Sequence, residues 1–381
     1  MIFALIRCRG LVRGGVAVLT ALAMLAVAAI AAAAESTGPR LAAIELTERG
    51  GFKDLHNEPE TSVALALVDP STGKEKRLLF GKMGARGRVL PVPFGSPSWS
   101  PDGSLVAFAG HDGRARKDRI YVVGPDGSGL RAIPGTVNGD HPVLSPDGRT
   151  LAFSRLRYRS RVNPNFFKDF KGEPVWVYSS TTTWLVDLAS GSPRRLTRWR
   201  NGLHNVPTSF SPDGSTLLTT KEDDNLEGPR VMATSLADGG SRELLLGAKE
   251  AVYSPDGSRI AFTGYLHPDL VEAEENHDYL AEELYVGQAN GSGVQRLSRS
   301  KGVIESSPAW DPTGQRLAYV QARGDRSFIP GLANLFPVGN SLMQVNADGS
   351  CRQRIASRPS LAFYGVAWQP GPGHEAGPLS C

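Results

Sequence analysis

The sequence predicts an all-β fold, a six-bladed β-propeller whose blades are four-stranded antiparallel sheets. Three short patterns that recur along the chain carry this prediction. They are a Ser-Pro-Asp-Gly turn, a short apolar strand after that turn, and a second hairpin with a small polar tip. Successive copies of the turn lie 43 to 66 residues apart, which leaves room for four short strands in each unit.

The first pattern is a strand that ends in a tight turn. Pro favours the second position of a type I turn, Asp the third, and Gly the left-handed position that follows, so each copy predicts the tip of a hairpin. A large apolar residue precedes every copy. The copies are PSWSPDG, PVLSPDG, TSFSPDG, AVYSPDG, PAWDPTG and a shortened VAWQPG, with the large residues Trp99, Leu144, Phe210, Tyr253, Trp310 and Trp368.

The second and third patterns supply the other strands of each unit, and we label the four strands a to d. An apolar strand b begins at Leu105, Leu151, Leu217, Ile260 and Leu317, and a sixth copy, LAAI, begins at Leu41. Strands c and d form hairpins such as IYVVGPDGSGLRAI and LALVDPSTGKEKRLL. The basic residues on strand d suit an outer edge, because Lys and Arg discourage pairing with other chains.

The sixth unit is divided between the two ends of the chain. Its strand a is expected at residues 363–369 and its strands b, c and d at residues 41–80. A ring closed by both ends of the chain in one blade explains this division and leaves no open sheet edge.

These residues resemble the TolB-type β-propeller repeat, over about residues 41–371. The resemblance rests on SPDG followed by IAF and by IYVV-type strands. It implies a propeller fold and a contact with a lipoprotein and cell-envelope machinery. The sequence departs from TolB because no α/β domain fits between Glu35 and Leu41. The related propellers of prolyl-oligopeptidase-like peptidases precede a catalytic domain, and this chain has no G-x-S-x-G nucleophile motif.

Residues 1–34 are predicted to be a secretory signal peptide. Arg7, Arg9 and Arg13 precede an apolar stretch that ends in Ala32-Ala33-Ala34. An uncleaved membrane anchor stays open as the alternative, because the stretch is long enough to span a bilayer. We therefore expect export to the periplasm or the medium, a propeller at residues 35–371, a C-terminal tail at 372–381 that is flexible apart from its cysteine, and contact with a membrane only through an uncleaved leader.

The charge and cysteine content narrow the partners. Without the three arginines of the leader, the 42 basic residues fall to 39 against 38 acidic residues, so the mature chain gives no case for nucleic acid.

Cys351 and Cys381 are a candidate disulfide, which export permits and which would fix the tail. The sequence leaves open whether they pair. We expect a monomer.

The long connections predict one functional face. The b–c connections cover residues 155–183, 263–283 and 320–341, and long loops on one side of a rigid scaffold usually carry function. In the first, Arg155, Arg157 and Arg159 alternate and aromatic residues follow, among them Trp176 and Tyr178. This set suits an acidic sugar, an anionic polymer or a protein. The alternative is a loop that folds over a neighbouring blade.

Four residues in d–a connections are candidates for the mouth of the central channel. They are His141, His204, Glu250 and Glu305. Two imidazoles there can bind a metal or move a proton, whereas the alternative is a pair of hydrogen-bonded structural histidines. Weaker candidates are a metal site from Glu274, Glu275, His277 and Asp278, calcium ligands at Glu222–Asn225, and the tripeptide Arg323-Gly324-Asp325.

Three functions remain open at this point. The first is a non-catalytic binding propeller that presents its b–c and d–a loops to a protein or glycan, without a cofactor. The second is a metal-assisted polysaccharide lyase or hydrolase that uses the channel histidines. The third is a TolB-like component of a cell-envelope complex. The missing nucleophile and sparse catalytic groups favour a protein that is not an enzyme.

Overall fold

The computed structural model describes residues 38, 40–49, 60–82, 92–112, 117–159, 178–223, 228–266, 282–299, 303–323, 341–357, 361–371 and 377–381. The fold is that of the compact unit Pro39–Cys381. The predicted leader and most of the long b–c insertions lie outside the described residues.

The described residues form 24 β-strands. The first half of the chain contributes β1 (Leu41–Arg49), β2 (Glu60–Val68), β3 (Glu75–Lys82), β4 (Val92–Trp99), β5 (Val106–Asp112), β6 (Lys117–Val123), β7 (Arg131–Ala132), β8 (Gly139–Leu144), β9 (Thr150–Arg159), β10 (Tyr178–Asp187), β11 (Pro193–Arg195) and β12 (Leu203–Phe210). The second half contributes β13 (Thr216–Asp223), β14 (Arg230–Ser235), β15 (Ser241–Leu246), β16 (Ala248–Tyr253), β17 (Arg259–Gly264), β18 (Glu283–Gln288), β19 (Gln295–Arg296), β20 (Val303–Trp310), β21 (Arg316–Arg323), β22 (Ser341–Asn346), β23 (Gln353–Ser357) and β24 (Leu361–Trp368).

The strands form an all-β propeller of antiparallel four-stranded sheets, which confirms the predicted fold class. Four sheets have the orders β24-β1-β2-β3, β4-β5-β6-β7, β16-β17-β18-β19 and β20-β21-β22-β23. A fifth, eight-stranded sheet combines β8 to β11 with β12 to β15. Within each half of that sheet the pairing is antiparallel, and the halves are joined by one parallel pair, Thr181 with His204.

Six of the described strands contact one another in a circle, and we call them the central strands. Strands β4, β8, β12, β16, β20 and β24 are each the first strand of a unit, and each contacts the next, with β24 contacting β4 to close the circle. The closing sheet takes β24 from one end of the chain and β1 to β3 from the other, which is the division that the sequence predicts.

The core lies between neighbouring sheets rather than within one sheet. Phe108, Phe153, Phe262 and Tyr319 occupy equivalent positions on the second strands of four units, and each is at most 1% exposed. Their strands are apolar on both faces because each sheet is covered on both sides, so strict alternation of polar and apolar residues is lost.

The Ser-Pro-Asp-Gly turns form as predicted and also join neighbouring units. In one of them Ser254 Oγ donates to Asp256 Oδ1 at 2.5 Å, and Gly257 N donates to Ser254 O at 2.9 Å. Gly257 has φ +72°, and a Cβ there would lie 3.1 Å from Cδ of Pro212 in the preceding turn. The repeated motif therefore closes its own hairpin and packs against the previous copy.

The Trp residues before two of the turns also join units. Trp99 Nε1 donates to Ala367 O at 3.1 Å, and Trp310 Nε1 donates to Val252 O at 3.1 Å. In each case the acceptor lies on the central strand of the preceding unit, so the indole links adjacent central strands in the circle.

The last five residues are held against the sheet β20-β21-β22-β23. The structure joins Cys351 and Cys381 in a disulfide, with a Cα–Cα distance of 5.1 Å. Leu379 N donates to Asn346 Oδ1 at 2.7 Å, and Asn346 Nδ2 donates to Leu379 O at 3.0 Å. Hydrogen bonds therefore add to the disulfide in fixing residues 377–381, a part of the tail that the sequence predicts to be flexible.

Candidate functional site

The central strands carry β-bulges, and these bulges position the candidate residues. In β8, β16 and β20 the register shifts between Asp140 and Val143, Lys249 and Val252, and Ser306 and Ala309. The first bulged residue is left-handed in each: His141 has φ +49°, Glu250 +55° and Ser307 +54°. A non-glycine residue in this region costs about 1–2 kcal/mol, and such bulges often aim side chains at functional sites.

His141 is held by its own neighbours on β8 and β9. Its Nδ1 lies 3.2 Å from Ser154 Oγ and 3.3 Å from Asp140 Oδ2. Its backbone N donates to Asp140 Oδ1 at 2.7 Å. The sequence places His141 in a connection, but β8 already begins at Gly139, because the bulge extends pairing beyond the short apolar run.

His204 lies at the junction of the two halves of the eight-stranded sheet. Its Nδ1 is 3.0 Å from Thr181 Oγ1, and Thr181 is also its parallel strand partner. It lies within β12 rather than in the connection before it. The imidazole therefore has a structural partner on β10.

Glu250 connects three units. Its Oε2 accepts a hydrogen bond from Ser307 N at 2.5 Å, and Thr263 Oγ1 is 3.5 Å away from the same oxygen. Its own N donates to Thr220 Oγ1 at 2.8 Å. Because Thr220 is on β13 and Ser307 on β20, this one residue links strands of three units.

A charged cluster beside Glu250 was missed at the sequence level. Lys249 Nζ lies 2.8 Å from Glu282 Oε1. Burial by itself would lower the pKa of Lys249, but the carboxylates of Glu282, Glu250 and Glu222 outweigh it and raise the pKa well above the ordinary value. The adjacent charged residues Lys249 and Glu250 on an inner strand could have indicated this cluster, because buried charges need partners.

Glu305 has a different position from the one expected. It is fully buried, and its Oε2 accepts a hydrogen bond from Leu284 N at 3.1 Å. Its Oε1 accepts from Gln321 Nε2 at 3.3 Å and from Arg352 Nη2. Burial raises the pKa of this carboxyl, and the Arg352 charge opposes the shift. Ser307, rather than Glu305, occupies the position equivalent to Glu250.

The alternating arginines of β9 pack on tryptophans. The Arg155 guanidinium lies 4.1 Å from the Trp184 ring centre, and its Nη2 donates to Gly135 O at 2.8 Å. The Arg157 guanidinium lies 4.5 Å from the ring centre of Trp199. Burial lowers the pKa of Arg155. Cation–π contacts of this kind hold the two side chains in defined orientations.

Several predicted residues have only partial or no description. Arg159 and Tyr178 pair in register on β9 and β10, and their side chains are outside the described set. Trp176, the group Glu274, Glu275, His277 and Asp278, and Gly324-Asp325 lie outside the described residues. Of the run at 222–225, Asp223 is buried and its Oδ2 is 3.7 Å from Arg200 Nη1.

Within the described part of the chain, no group of three or more His, Cys, Asp or Glu side chains is arranged to hold a metal ion. The same residues contain no helix with the length and apolar content required to cross a membrane.

Comparisons with known proteins give one short sequence match and several similar folds. No protein-family model matches the chain. A stretch of 64 residues is 41% identical to the Tol-Pal system protein TolB of Gluconobacter oxydans, and it covers 16% of this chain and 13% of that protein. The chain therefore spans only about an eighth of the curated relative that it matches.

The solved structures agree with that match. TolB from Acinetobacter baumannii aligns with a TM-score of 0.59 at 19% identity, over 87% of this chain and 67% of that one. A putative TolB from Agrobacterium tumefaciens aligns with a TM-score of 0.53 at 16% identity, over 88% of this chain and 100% of that one. The chain has the β-propeller fold of these two structures. At these identities the structural likeness shows the fold alone, so the function of the propeller follows from its own residues.

Proposed function

We propose that this TolB-type propeller is a non-catalytic binding scaffold, which presents its b–c and d–a connections to a protein partner. One observation carries the proposal: polar residues on two of the central strands, Glu250 and His204, are held by contacts between units. Glu250 joins β13, β16 and β20 through its backbone and its carboxylate. A surface fixed before binding loses little conformational entropy when a partner docks.

The proposal treats the propeller as six-bladed. The circle of six central strands supports this count. The eight-stranded sheet is then two blades, because a single parallel pair joins its two antiparallel halves. The proposal also makes the chain an exported monomer, and the apolar leader at residues 16–34 supports export.

A second candidate is a component of a cell-envelope assembly. The 64-residue match to a protein named for the Tol-Pal system favours it. The two proposals differ in the partner, since the second requires a membrane-associated protein.

The test begins with the purified full chain and the envelope proteins of its source cell. Captured proteins are identified by cross-linking and mass spectrometry, purified, and titrated against wild type and His141→Ala/His204→Ala. We expect Kd to rise at least tenfold in this double variant. Arg149→Ala, an exposed change in a turn of the opposite face, should leave Kd within twofold.

Two results would overturn the scaffold proposal. One is the failure of any captured protein to bind the purified chain directly. The other is an equal loss of affinity in the double variant and in Arg149→Ala. A partner that is anchored in a membrane would favour the second candidate.

A further inference from the structure

One unit of the propeller has an unbalanced charge. The described residues of β8 to β11 and their connections, 139–159 and 178–202, contain eight arginines and three aspartates. No other unit has an excess of more than two charges of either sign among its described residues. Since the predicted mature chain is almost neutral, this unit concentrates positive charge that the other units lack.

The excess lies along one edge. We define the arginine edge as Arg157, Arg194, Arg195, Arg198 and Arg200, all of which are exposed. Arg194 and Arg195 are on the outer strand β11, and residues 194–200 span at most about 24 Å. Arg157 joins them through its stack on Trp199.

These charges are little compensated. Among the described residues, one carboxylate approaches the arginine edge, at the 3.7 Å contact between Arg200 Nη1 and Asp223 Oδ2. In the neighbouring unit Arg230 instead pairs with Glu243 at 3.0 Å. Clustered like charges destabilise a fold by repulsion, and a bound polyanion would relieve that repulsion.

The chemistry of the edge favours carboxylate or phosphate groups. A guanidinium presents a planar set of donors that matches either group bidentately. The Trp199 ring orients Arg157, so part of the arginine edge is ordered before a ligand arrives.

The same observations argue against nucleic acid and membranes. Single-stranded nucleic acid needs aromatic faces on which bases stack, and the described tryptophans of this edge are covered by arginine. The exposed large apolar residues of the described chain, Phe80, Leu246, Tyr265 and Val294, lie on other units. A purely ionic edge without an apolar surface does not insert into lipid.

We infer that the arginine edge binds an acidic polysaccharide whose repeating units carry carboxylate or phosphate groups. This surface follows the outer strand β11 and extends into the d–a connection after Arg195, and the inference does not depend on a protein partner. The bound chain would lie along β11 and the connection after it, and would contact several guanidinium groups at once.

The test measures binding to four polymers by titration calorimetry. Alginate supplies carboxylates, phosphomannan supplies phosphates, dextran is neutral, and duplex DNA is a polyanion of another class. The full chain is compared with Arg194→Gln/Arg195→Gln/Arg198→Gln. The matched control is Arg131→Gln/Arg242→Gln/Arg354→Gln, which removes the same charge from exposed outer-strand positions of three other units.

We expect wild type to bind alginate, phosphomannan or both, with affinity that falls as salt rises. The edge variant should bind at least tenfold more weakly, and the control should stay within twofold. The melting temperature of the edge variant at low salt should equal or exceed that of wild type, since repulsion is removed. His141→Ala/His204→Ala should bind the glycan normally, which separates this test from that of the protein partner.

Four results would refute the inference. They are equal losses in the two triple variants, equal binding to dextran, duplex DNA binding at least as tight as that of either acidic glycan, and no binding to either acidic glycan.

Discussion

Glu250 Oε2 accepts a hydrogen bond from the backbone N–H of Ser307 at 2.5 Å. Both residues are left-handed and occupy the bulge of a central strand. The carboxylate of one bulged residue therefore accepts the backbone N–H of the next, and the contact links two units.

Removing the Glu250 carboxylate should destabilise the fold. Glu250→Ala leaves Ser307 N without this partner, and we expect a loss of about 1–3 kcal/mol in the free energy of unfolding. Glu250→Gln keeps an acceptor oxygen and the same backbone conformation, so its loss should be clearly smaller. Urea unfolding of both variants measures the difference. Equal losses would mean that the Ser307 contact contributes nothing.

The Glu305–Arg352 pair should give a pH-dependent effect. Arg352→Ala leaves the fully buried Glu305 carboxylate without its cation, and breaking such a pair costs about 3 kcal/mol or more. Burial raises the pKa of Glu305 in the folded state. A carboxyl with a raised folded pKa destabilises the fold increasingly as pH rises above its unfolded value, and the penalty is complete above the folded pKa.

We therefore expect Arg352→Ala to lose more stability at pH 8 than at pH 5. At the lower pH, Glu305 can take up a proton within the fold. Arg354→Ala is the control, because Arg354 is exposed on β23, two residues after Arg352, and should show no such pH dependence. Denaturant unfolding at the two pH values measures the free energy of unfolding of each variant. An equal loss for Arg352→Ala at both pH values would show that Glu305 stays charged.

The fold was predictable because its signals are local and repeated. The Ser-Asp contact within each turn spans two residues, as in Ser254 with Asp256, so every copy of the motif reports its own hairpin. The apolar strand positions, such as Phe153 and Phe262, follow directly from the turn.

The site was less predictable because bulges change the register of the inner strands. Glu250 lies four residues before its turn and Glu305 lies six before its own, so the two face different surroundings. In the unit of Glu305, the residue four positions before the turn is Ser307. The Lys249–Glu282 pair joins residues that are 33 positions apart, and no local pattern predicts that contact.

The turn aspartates should make the protein sensitive to acid. The hydroxyl of Ser254, and then the contacts with Ser258, lower the pKa of Asp256 from 3.8 to about 2. A lowered folded pKa contributes stability above the unfolded value, and that stability is lost as pH falls through the folded value. The relevant window therefore runs from about pH 4 down to about pH 2.

Asp256→Asn should lower the melting temperature at pH 6, and its difference from wild type should shrink as pH falls to 2. Asparagine keeps an acceptor but cannot carry the charge that Ser254 stabilises. Ser254→Ala, which removes the largest contribution, should show the same narrowing. Calorimetry from pH 6 to pH 2 measures the difference in melting temperature between each variant and wild type. A difference that does not change with pH would mean that the aspartate stabilises the turn through its hydrogen-bond geometry rather than its charge.

Gly95 and Asp140 give a direct test of how neighbouring units position His141. Gly95 has φ +70°, and a Cβ there would lie 2.3 Å from Asp140 Oδ1. Asp140 cannot move away freely, because the same oxygen accepts the N–H of His141 at 2.7 Å. Gly129 is a matched control, with φ +67° and nothing within 4 Å of the added atom.

Gly129→Ala should cost only the left-handed strain, about 1–2 kcal/mol. Gly95→Ala should lower the free energy of unfolding by about 1–3 kcal/mol more than Gly129→Ala does, which is the usual penalty for overpacking. Removing the obstructing carboxylate in Gly95→Ala/Asp140→Ala should recover much of that excess, so a double-mutant cycle should give a coupling above 0.5 kcal/mol. Because Asp140 orients His141, Gly95→Ala should also weaken binding of the protein partner, whereas Gly129→Ala should not. If the cycle shows no coupling, Asp140 moves aside at no cost and the channel mouth is softer than the scaffold proposal requires.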